Sequence, residues 1–262
     1  MKFGRTFAAL AVAILIAGPV QAADHIKIGI LGGDSELIWQ QVKKIAAKDG
    51  LDIEAIPFTD YTIPNAALDA GDLDANAFQH KPYLENQIKT RGYKITAIAP
   101  TTISPIGLYS HKVKKLADLK DGALVGIPND PSNGGRALLL LQAQKLVTLK
   151  PGTGVTPTVL DITDNPKHFK FKEVDAAQLV RSLDDLDAAV INSNYVTPAG
   201  INPVRDSLAI EVPENNPYGN VIAVRTADKD KPIYKKLVAA FDNDEIRSFI
   251  NSHFDGAMIP AF

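Results

Sequence analysis

The stretch IKIGILGGDSELIWQQVKKIAAKDGLDIEAI, residues 26–56, indicates the fold class. Alternating apolar residues predict strands over Ile26–Ile30 and Leu51–Ile56. Between them, Glu36–Lys48 carries apolar residues at helical spacing, and Asp34 or Ser35 is the expected N-cap. A strand, a helix and a second strand form a βαβ unit, which predicts a parallel sheet with a right-handed crossover.

The same alternation continues to the end of the chain. Further strands are predicted over 93–99, 123–127, 169–174, 186–191 and 221–224, and further helices over 66–70, 81–90, 134–145, 176–182 and 233–243. No flexible linker is visible, so we expect two α/β lobes between which the chain crosses twice. Lobe 1 is predicted to hold residues 23–107 plus 221–262, and lobe 2 residues 108–220. A single doubly wound domain would give a similar pattern.

The composition excludes several classes of protein. The chain has 262 residues, of which 45% are hydrophobic and 22% charged, and it contains no cysteine. These values exclude a disordered chain, a disulfide scaffold and any site that needs a thiolate ligand or nucleophile. The net charge of −2 gives no reason to expect nucleic acid or an anionic membrane surface as a partner.

Residues 1–22 are typical of a secretory signal peptide. Lys2 and Arg5 supply the positive start, and Phe7–Ala17 is an apolar run that is too short to span a membrane. Val20 and Ala22 are the small residues that precede a cleavage site. We therefore expect the mature protein to function outside the cytoplasm.

Residues 58–83 form the densest polar and aromatic stretch, with Phe58, Tyr61, Phe78, His80 and Tyr83. Such side chains suit a pocket for an apolar group with a polar head, and the stretch is predicted to lie in loops and at element ends, where ligand sites concentrate. Core packing is the alternative for any single aromatic residue. The histidines of the chain show no zinc-binding spacing, so we expect His80 to form hydrogen bonds and not to bind a metal.

Arg136 follows a strand and a Pro-Asn-Asp-Pro-Ser turn, in the first turn or so of an apolar helix that Ser132 or Asn133 is expected to cap. A helix N-terminus favours an anion, so a cation there is locally unfavourable. The planar guanidinium suits a carboxylate bound by two hydrogen bonds. A structurally paired arginine is the alternative.

Asparagines stand at two junctions between strands and loops. The predicted strand 186–191 runs into Asn192 and Asn194 at its carboxyl end, where open α/β sheets bind ligands. Asn220 stands at a similar junction before the strand 221–224. An asparagine amide both donates and accepts hydrogen bonds, which fits an α-amino and α-carboxyl head group, although asparagine also favours plain turns.

Catalytic and cofactor motifs are absent from the sequence. It contains no G-x-S-x-G, no H-E-x-x-H and no phosphate-binding P-loop. The acidic runs at 184–185 and 242–245 lack the glycine and glutamate of a calcium loop, so they are predicted to be solvated faces. The sequence therefore predicts no catalytic residue, no metal site and no cofactor.

The chain resembles the methionine-binding substrate-binding proteins of bacterial ABC importers, the NlpA/MetQ-type lipoprotein family. The runs that carry the resemblance are FTDYTIPN (58–65), DANAFQHKPYL (74–84), PNDPSNGGRALLLLQ (128–142), DITDNPK (161–167), QLVRSLDD (178–185), AVIN (189–192) and PYGN (217–220). The resemblance extends from about Ile26 to the Phe-Asp-Gly tail near residue 256.

The resemblance implies a bilobal periplasmic-binding-protein fold of the type II kind, which closes on its ligand. It implies these ligand contacts: Tyr61, His80, Tyr83 and, with Phe78, an apolar wall from lobe 1; Arg136 on the carboxylate; and Asn192 with Asn220 on the polar head from the far side. The implied function is non-enzymatic: an extracytoplasmic monomer that binds methionine, L- and also D-, and delivers it to a cognate ABC permease of the inner membrane.

Three alternatives remain at this point: the same fold with another small amino acid or a dipeptide, an enzyme on a similar bilobal fold, and an adhesion protein. One departure from the family also matters. Members commonly carry a lipidated N-terminal cysteine, and this chain has none. We therefore predict a diffusible periplasmic protein without a lipid anchor.

Overall fold

The computed structural model describes residues 24–262, so the predicted signal peptide, residues 1–22, lies outside the described residues. The strands of the two main sheets are β1 Asp24–Leu31, β2 Leu51–Phe58, β3 Ala75–His80, β4 Ile95–Pro100, β6 Ile106–Tyr109, β7 Leu124–Pro128, β10 Lys170–Val174, β11 Ala188–Asn192, β12 Ala209–Ile210 and β13 Asn220–Arg225. Four short strands, β5 Thr102–Ile103, β8 Thr148–Leu149, β9 Ile162–Asp164 and β14 Ile259–Pro260, form two small ladders. The helices are α1 Asp34–Lys48, α2 Pro64–Ala70, α3 Lys81–Arg91, α4 Pro131–Ala143, α5 Ser193–Val196, α6 Pro232–Phe241 and α7 Asp244–His253.

The first sheet has the strand order β2-β1-β3-β13-β4. Strand β1 runs parallel to β2 and β3, as the βαβ pattern predicts. Strand β13 is antiparallel to both β3 and β4, so the sheet is mixed and not wholly parallel. The C-terminal part of the chain therefore returns to the sheet that the N-terminal part begins.

The second sheet has the strand order β10-β7-β11-β6-β12. Strand β7 is parallel to β10 and β11, and β6 is antiparallel to β11 and β12. Strand β6 begins at Ile106, inside the range predicted for lobe 1. The chain thus passes from the first sheet to the second around Ser104 and Pro105, and it returns between β12 and β13.

Each sheet has its own hydrophobic core. In the first lobe, β1 contributes Ile26, Ile28 and Ile30, and the buried face of α1 packs against them together with α6 and α7. The rings of Trp39 and Phe241 lie 5.3 Å apart in this core. In the second lobe, a separate cluster joins β6, β7 and α4. Two cores with a junction between them leave room for a ligand site at the junction.

Two helices begin earlier than predicted. The N-cap of α1 is Gly33, with φ of 86°, and its N–H donates to Glu36 Oε1 at 2.9 Å. The N-cap of α4 is Asp130, whose carboxylate accepts from Ser132 N and Asn133 N. Both predicted caps are wrong. The start of α1 uses the positive φ of Gly33, and in α4 proline fits the first helical position, so the cap is the residue before it.

Three elements differ more strongly from the sequence prediction. Strand β3 was not predicted, although all of its residues are buried. The acidic run at 242–245 is not only a solvated face, because Asn243 caps α7, which buries Ile246 and Ile250. The predicted helix over 176–182 is reduced to one 3-10 turn, Ala176–Gln178. Within residues 24–262, no helix is both long and apolar enough to cross a membrane.

Candidate ligand-binding site

The structure brings all seven predicted site residues into one pocket at the junction of the lobes. The lining residues are Leu31, Ser35, Tyr61, Phe78, Gln79, His80, Tyr83, Asn220 and Met258 from the side of the first sheet, with Ser104, Asn133, Arg136, Asn192 and Asn194 facing them. The sequence predicted a ligand contact for Asn192 but not for Asn194, and it predicted none for Leu31, Ser35, Gln79, Ser104, Asn133 and Met258. What each side chain does to a ligand stays a prediction.

Three aromatic rings form one wall of the pocket. Ring centroids are 6.1 Å apart for Tyr61 and Phe78, 5.8 Å for Tyr61 and Tyr83, and 6.0 Å for Phe78 and Tyr83. The hydroxyl of Tyr83 donates to the backbone oxygen of Tyr61 at 2.9 Å, which ties the loop after β2 to α3. Phe58 lies behind this wall and packs with Leu68 and its neighbours in the core. The wall is thus held together by contacts within the protein.

His80 is a neutral hydrogen-bonding residue at the end of β3. Its side chain caps α3, because Nδ1 accepts from Tyr83 N at 3.1 Å. Nε2 lies 3.1 Å from Asn133 Oδ1. Burial, together with the nearby positive charge of Arg136, lowers the pKa of His80 to about 3. The ring therefore carries no charge at neutral pH.

The described residues form no metal centre. No group of three or more His, Cys, Asp or Glu side chains in the part of the chain from residue 24 onward is arranged to hold a metal ion.

Arg136 is held from one side by a carboxylate that sequence analysis did not find. Its Nε donates to Glu211 Oε1 at 3.0 Å, and its Nη2 pairs with Glu211 Oε2 and donates to Ser104 O at 3.0 Å. The guanidinium carbon also lies 4.5 Å from the ring centroid of Tyr218. Nη1 forms no hydrogen bond with any residue in the described range 24–262.

Arg136 therefore combines the two interpretations that the sequence left open, since it is structurally paired and also lines the pocket. Its side chain is 3% exposed, and that of Glu211 is 15% exposed. A buried arginine is tolerated because Glu211 neutralises it. No sequence pattern links Glu211 to Arg136, because the two residues are 75 positions apart.

The asparagines after β11 leave polar atoms without partners. Asn192 Nδ2 donates to Asn133 Oδ1 at 2.7 Å, and Asn194 Oδ1 accepts from the hydroxyl of Tyr61 at 2.6 Å. Asn192 Oδ1 and Asn194 Nδ2 are buried and have no hydrogen-bond partner among the described residues. An unpaired buried polar group costs roughly 1–3 kcal/mol, so these atoms indicate a polar ligand.

Asn220 lies in the first lobe, whereas the sequence prediction placed it in the second. It is the first residue of β13 and pairs with His80 in the antiparallel ladder with β3. Its backbone oxygen accepts from Thr101 N at 2.8 Å. Asn220 therefore faces the pocket from the same sheet as the aromatic wall.

Two glycines allow the start of α4 to lie against the backbone of Pro128 and Thr156. A Cβ at Gly134 would lie 2.8 Å from the oxygen of Pro128, and a Cβ at Gly135 would lie 2.7 Å from Thr156 Cα. Both contacts are with backbone, so no larger residue fits. The close packing places Asn133 and Arg136 at the pocket.

Two hydrogen bonds join the lobes directly across the pocket. They are the contact of His80 with Asn133 and that of Tyr61 with Asn194. Beside the pocket, Asn65, Asn76 and Gln79 form a separate cluster of buried amides, of which Gln79 alone also lines the pocket. The lobes are thus closed against each other around the polar end of the site.

Comparison with known proteins identifies the family. The model of the family described as NlpA lipoprotein matches residues 26–262. The chain belongs to the NlpA lipoprotein family. The resemblance seen in the sequence and the predicted fold class are both confirmed.

Members of the NlpA family with known names and structures are similar over nearly the whole chain. The D-methionine-binding lipoprotein MetQ of Escherichia coli (strain K12) is 47% identical over 90% of this chain and 88% of its own length. A nutrient-binding protein from Burkholderia cenocepacia, solved bound to methionine, is 53% identical with a TM-score of 0.87, over 90% of this chain and 100% of that chain. A periplasmic substrate-binding protein of an ABC transporter from Coxiella burnetii is 47% identical with a TM-score of 0.86, over 90% of this chain and 100% of that one.

Proposed function

We propose that this NlpA-family protein is the extracytoplasmic substrate-binding protein of an ABC importer and that its ligand is methionine. One observation carries the proposal: the pocket joins an aromatic wall to a polar end whose buried atoms have no partners in the described chain. An amino acid with an apolar side chain matches both ends. The similarity to proteins named for methionine binding supports this choice.

The polar end suits the head group of an amino acid. Nη1 of Arg136 and Nδ2 of Asn194 are donors for the α-carboxylate, and Oδ1 of Asn192 is an acceptor for the α-ammonium group. Glu211 keeps the opposite edge of the guanidinium occupied, so the arginine offers one defined edge. We propose that the carboxylate binds at Arg136.

The aromatic wall suits the methionine side chain. Tyr61, Phe78 and Tyr83 offer ring faces and edges, and Met258 and Leu31 add apolar surface. A contact between a thioether sulfur and an aromatic ring contributes about 0.3–1.5 kcal/mol. In a pocket of this kind the binding free energies of two ligands that differ by one methylene differ by only about 1–3 kcal/mol. D-methionine, another apolar amino acid and a dipeptide are therefore further candidate ligands.

Ligand binding is proposed to favour the closed arrangement of the lobes. The head group contacts Arg136 and Asn192 from one lobe, while the side chain contacts the aromatic wall of the other. These contacts exist together only when the lobes are closed, so the ligand shifts the equilibrium toward closure. The closed form is then the one presented to the permease.

The remaining parts of the function are proposals as well. We propose that lobe 1 is built from residues 24–103 and 220–262 and lobe 2 from residues 106–210, that the protein is a monomer, and that its partner is a cognate ABC permease of the inner membrane. We propose an extracytoplasmic location. The predicted diffusible form contrasts with the relatives, which are named lipoproteins. Fractionation of the native host into periplasm and membranes distinguishes the two.

Calorimetry tests the ligand. The protein is unfolded, dialysed and refolded to remove any bound ligand, and it is then titrated with L-methionine, D-methionine, a methionine dipeptide and other apolar amino acids. We expect L-methionine or D-methionine to bind more tightly than the other compounds. Tight binding of another amino acid, with no heat from methionine, would contradict the proposed ligand.

A further inference from the structure

A chain of hydrogen bonds links the first turn of α3 to the end of β11 across the two lobes. Tyr83 N donates to His80 Nδ1 at 3.1 Å, and His80 Nε2 lies 3.1 Å from Asn133 Oδ1. Asn192 Nδ2 donates to the same oxygen at 2.7 Å. The side chains of His80 and Asn192 thus meet at one oxygen atom, Oδ1 of Asn133.

The first end of this chain determines which atom of Asn133 faces His80. A backbone N–H only donates, so Nδ1 of His80 must be the unprotonated acceptor. Burial keeps the ring neutral at pH 7, so Nε2 carries the proton and donates. The atom of Asn133 that accepts this hydrogen bond must therefore be its oxygen.

The second end of the chain determines the same orientation independently. The carboxylate of Asp130 accepts from Asn133 Nδ2 at 2.9 Å and from Asn133 N at 2.9 Å. A carboxylate only accepts, so the nitrogen of the Asn133 amide must face Asp130 and its oxygen must face the other way. A donor-only group at one end and an acceptor-only group at the other thus impose one polarity.

This polarity passes on to Asn192. Because Asn133 offers an oxygen, Asn192 must turn its nitrogen toward it, and its own Oδ1 is left buried without a partner among residues 24–262. The described residues that line the pocket include no Asp or Glu. Any side chain of the pocket that accepts a hydrogen bond from a positively charged ligand group must therefore do so with a neutral oxygen.

We propose that Asn133 is a positioning residue for ligand specificity: it holds the Asn192 amide so that Oδ1 accepts a hydrogen bond from the α-ammonium group of the ligand. The inference rests on the proposed function, because it takes the ligand to be an α-amino acid. Asn194 has no comparable constraint, since its partner is the hydroxyl of Tyr61, which both donates and accepts.

The test compares methionine with 4-(methylthio)butanoic acid, which keeps the thioether and the carboxylate and lacks the amino group. Calorimetry gives the affinity of each compound for the wild-type protein, Asn133→Ala and the control Ser132→Ala. Ser132 is buried in the same helical turn and also bonds Asp130, but it forms no hydrogen bond to His80 or Asn192. A hydrogen bond to a charged group predicts that the wild-type protein prefers methionine by about 10- to 100-fold.

In Asn133→Ala we expect that preference to fall to a few-fold, because the Asn192 amide is free to turn. In Ser132→Ala we expect it to be unchanged. If Asn133→Ala weakens both compounds equally and keeps their ratio, Asn133 is only a contact between the lobes and the inference is overturned. If that variant does not fold, nitrogen NMR of His80 in the ligand-bound wild-type protein decides, because an Nδ1–H tautomer contradicts the chain of donors.

The outcomes separate this inference from the proposed ligand. A wild-type protein that binds a different amino acid contradicts methionine, and the same ratio is then measured with that amino acid and its deaminated analogue. A wild-type protein that binds no α-amino acid contradicts both the proposed function and the role of Asn133.

Discussion

The molecule contains two clusters of buried amides that lie close together and behave differently. Asn65, Asn76 and Gln79 bond one another at 2.6–3.0 Å, and every amide nitrogen and oxygen in the group has a partner. In the second cluster, Asn133 is satisfied while Asn192 keeps an unpaired Oδ1. Buried amides alone therefore do not mark a binding site, whereas an unpaired amide atom on a residue that lines the pocket indicates one.

The difference follows from what surrounds each cluster. Asn65 lies in the first turn of α2 and bonds Asn76 and Gln79 of β3. All three residues of the first cluster therefore belong to one lobe. Asn133 and Asn192 of the second cluster lie at the junction with the first lobe and both line the pocket, whereas only Gln79 of the first cluster reaches it. A closed cluster stabilises the fold, whereas an open one exchanges its remaining hydrogen bonds with a ligand.

The largest expected effect comes from removing the guanidinium of Arg136, which lines the pocket beside Asn133 and Asn192. Arg136→Ala should weaken methionine binding about 30-fold or more, because truncating one partner of a buried charge pair costs about 2–5 kcal/mol. It should also lower the melting temperature, since Glu211 keeps a partly buried charge without its partner. Calorimetry and thermal unfolding of the same samples measure the two effects.

Glu211→Gln is the matched control for Arg136→Ala. It keeps one acceptor oxygen for Arg136 and replaces the other with an amide nitrogen, so the guanidinium stays at the pocket and methionine binding should change much less. If Arg136→Ala binds methionine as well as the wild-type protein does, the carboxylate does not bind at this residue.

The two clusters should respond in opposite ways to the same substitution. Asn192→Ala is expected to weaken methionine binding about 10- to 100-fold with little loss of stability, because it removes a hydrogen bond to a charged group. Asn76→Ala is expected to lower the free energy of unfolding by about 1–3 kcal/mol, because Asn65 and Gln79 lose partners in the core. Urea unfolding and calorimetry on both variants give the comparison, and equal losses of affinity would remove the distinction between the clusters.

The affinity for methionine should also depend on pH, because His80 bonds Asn133 between the lobes. In the closed protein the pKa of His80 is lowered to about 3, and in an open, hydrated site it moves toward the ordinary value of about 6.5. Protonation therefore favours the open form, so affinity is constant above about pH 7 and falls as the pH drops below 6.5, by at most about tenfold per pH unit. Titration calorimetry from pH 8 to pH 4.5 measures this, and His80→Asn should flatten the profile.

The smallest effect is expected at the second link between the lobes. Tyr61→Phe keeps the aromatic wall and removes the hydroxyl that bonds Asn194. A neutral hydrogen bond contributes about 0.5–1.5 kcal/mol, so affinity should fall about two- to tenfold. A loss as large as that of Arg136→Ala would indicate that the hydroxyl contacts the ligand itself.

Sequence reasoning found the parts of the fold that follow from hydrophobic periodicity. The unit β1-α1-β2 is such a part, because its apolar residues face one core. Strand β3 was missed because Asn76 and Gln79 resemble loop residues, and only the folded cluster shows that they satisfy each other. Local pattern does not reveal partners that lie outside the segment.

The same limit applies to the pocket. The predicted residues lie in long, recognisable runs, and all of them line it. Glu211 and Met258 stand outside those runs. Glu211 meets Arg136 from the end of β12, and Met258 reaches the pocket only after the chain has returned to the first sheet. Asn133 lay within a matching run, but its role depends on which atom it turns toward Asn192, and sequence does not contain that orientation.

The return of β13 to the first sheet has a consequence for the order of assembly. Strand β13 lies between β3 and β4, so the first sheet is incomplete until residues 220–225 pair with strands far earlier in the chain. The second sheet forms within residues 106–210 and needs no such distant pairing. During refolding of the complete chain we expect the second lobe to form first, while β3 and β4 stay unpaired along one edge, and pulse-labelling hydrogen exchange measures that order. The lobe that begins the protein is thus the last to be finished.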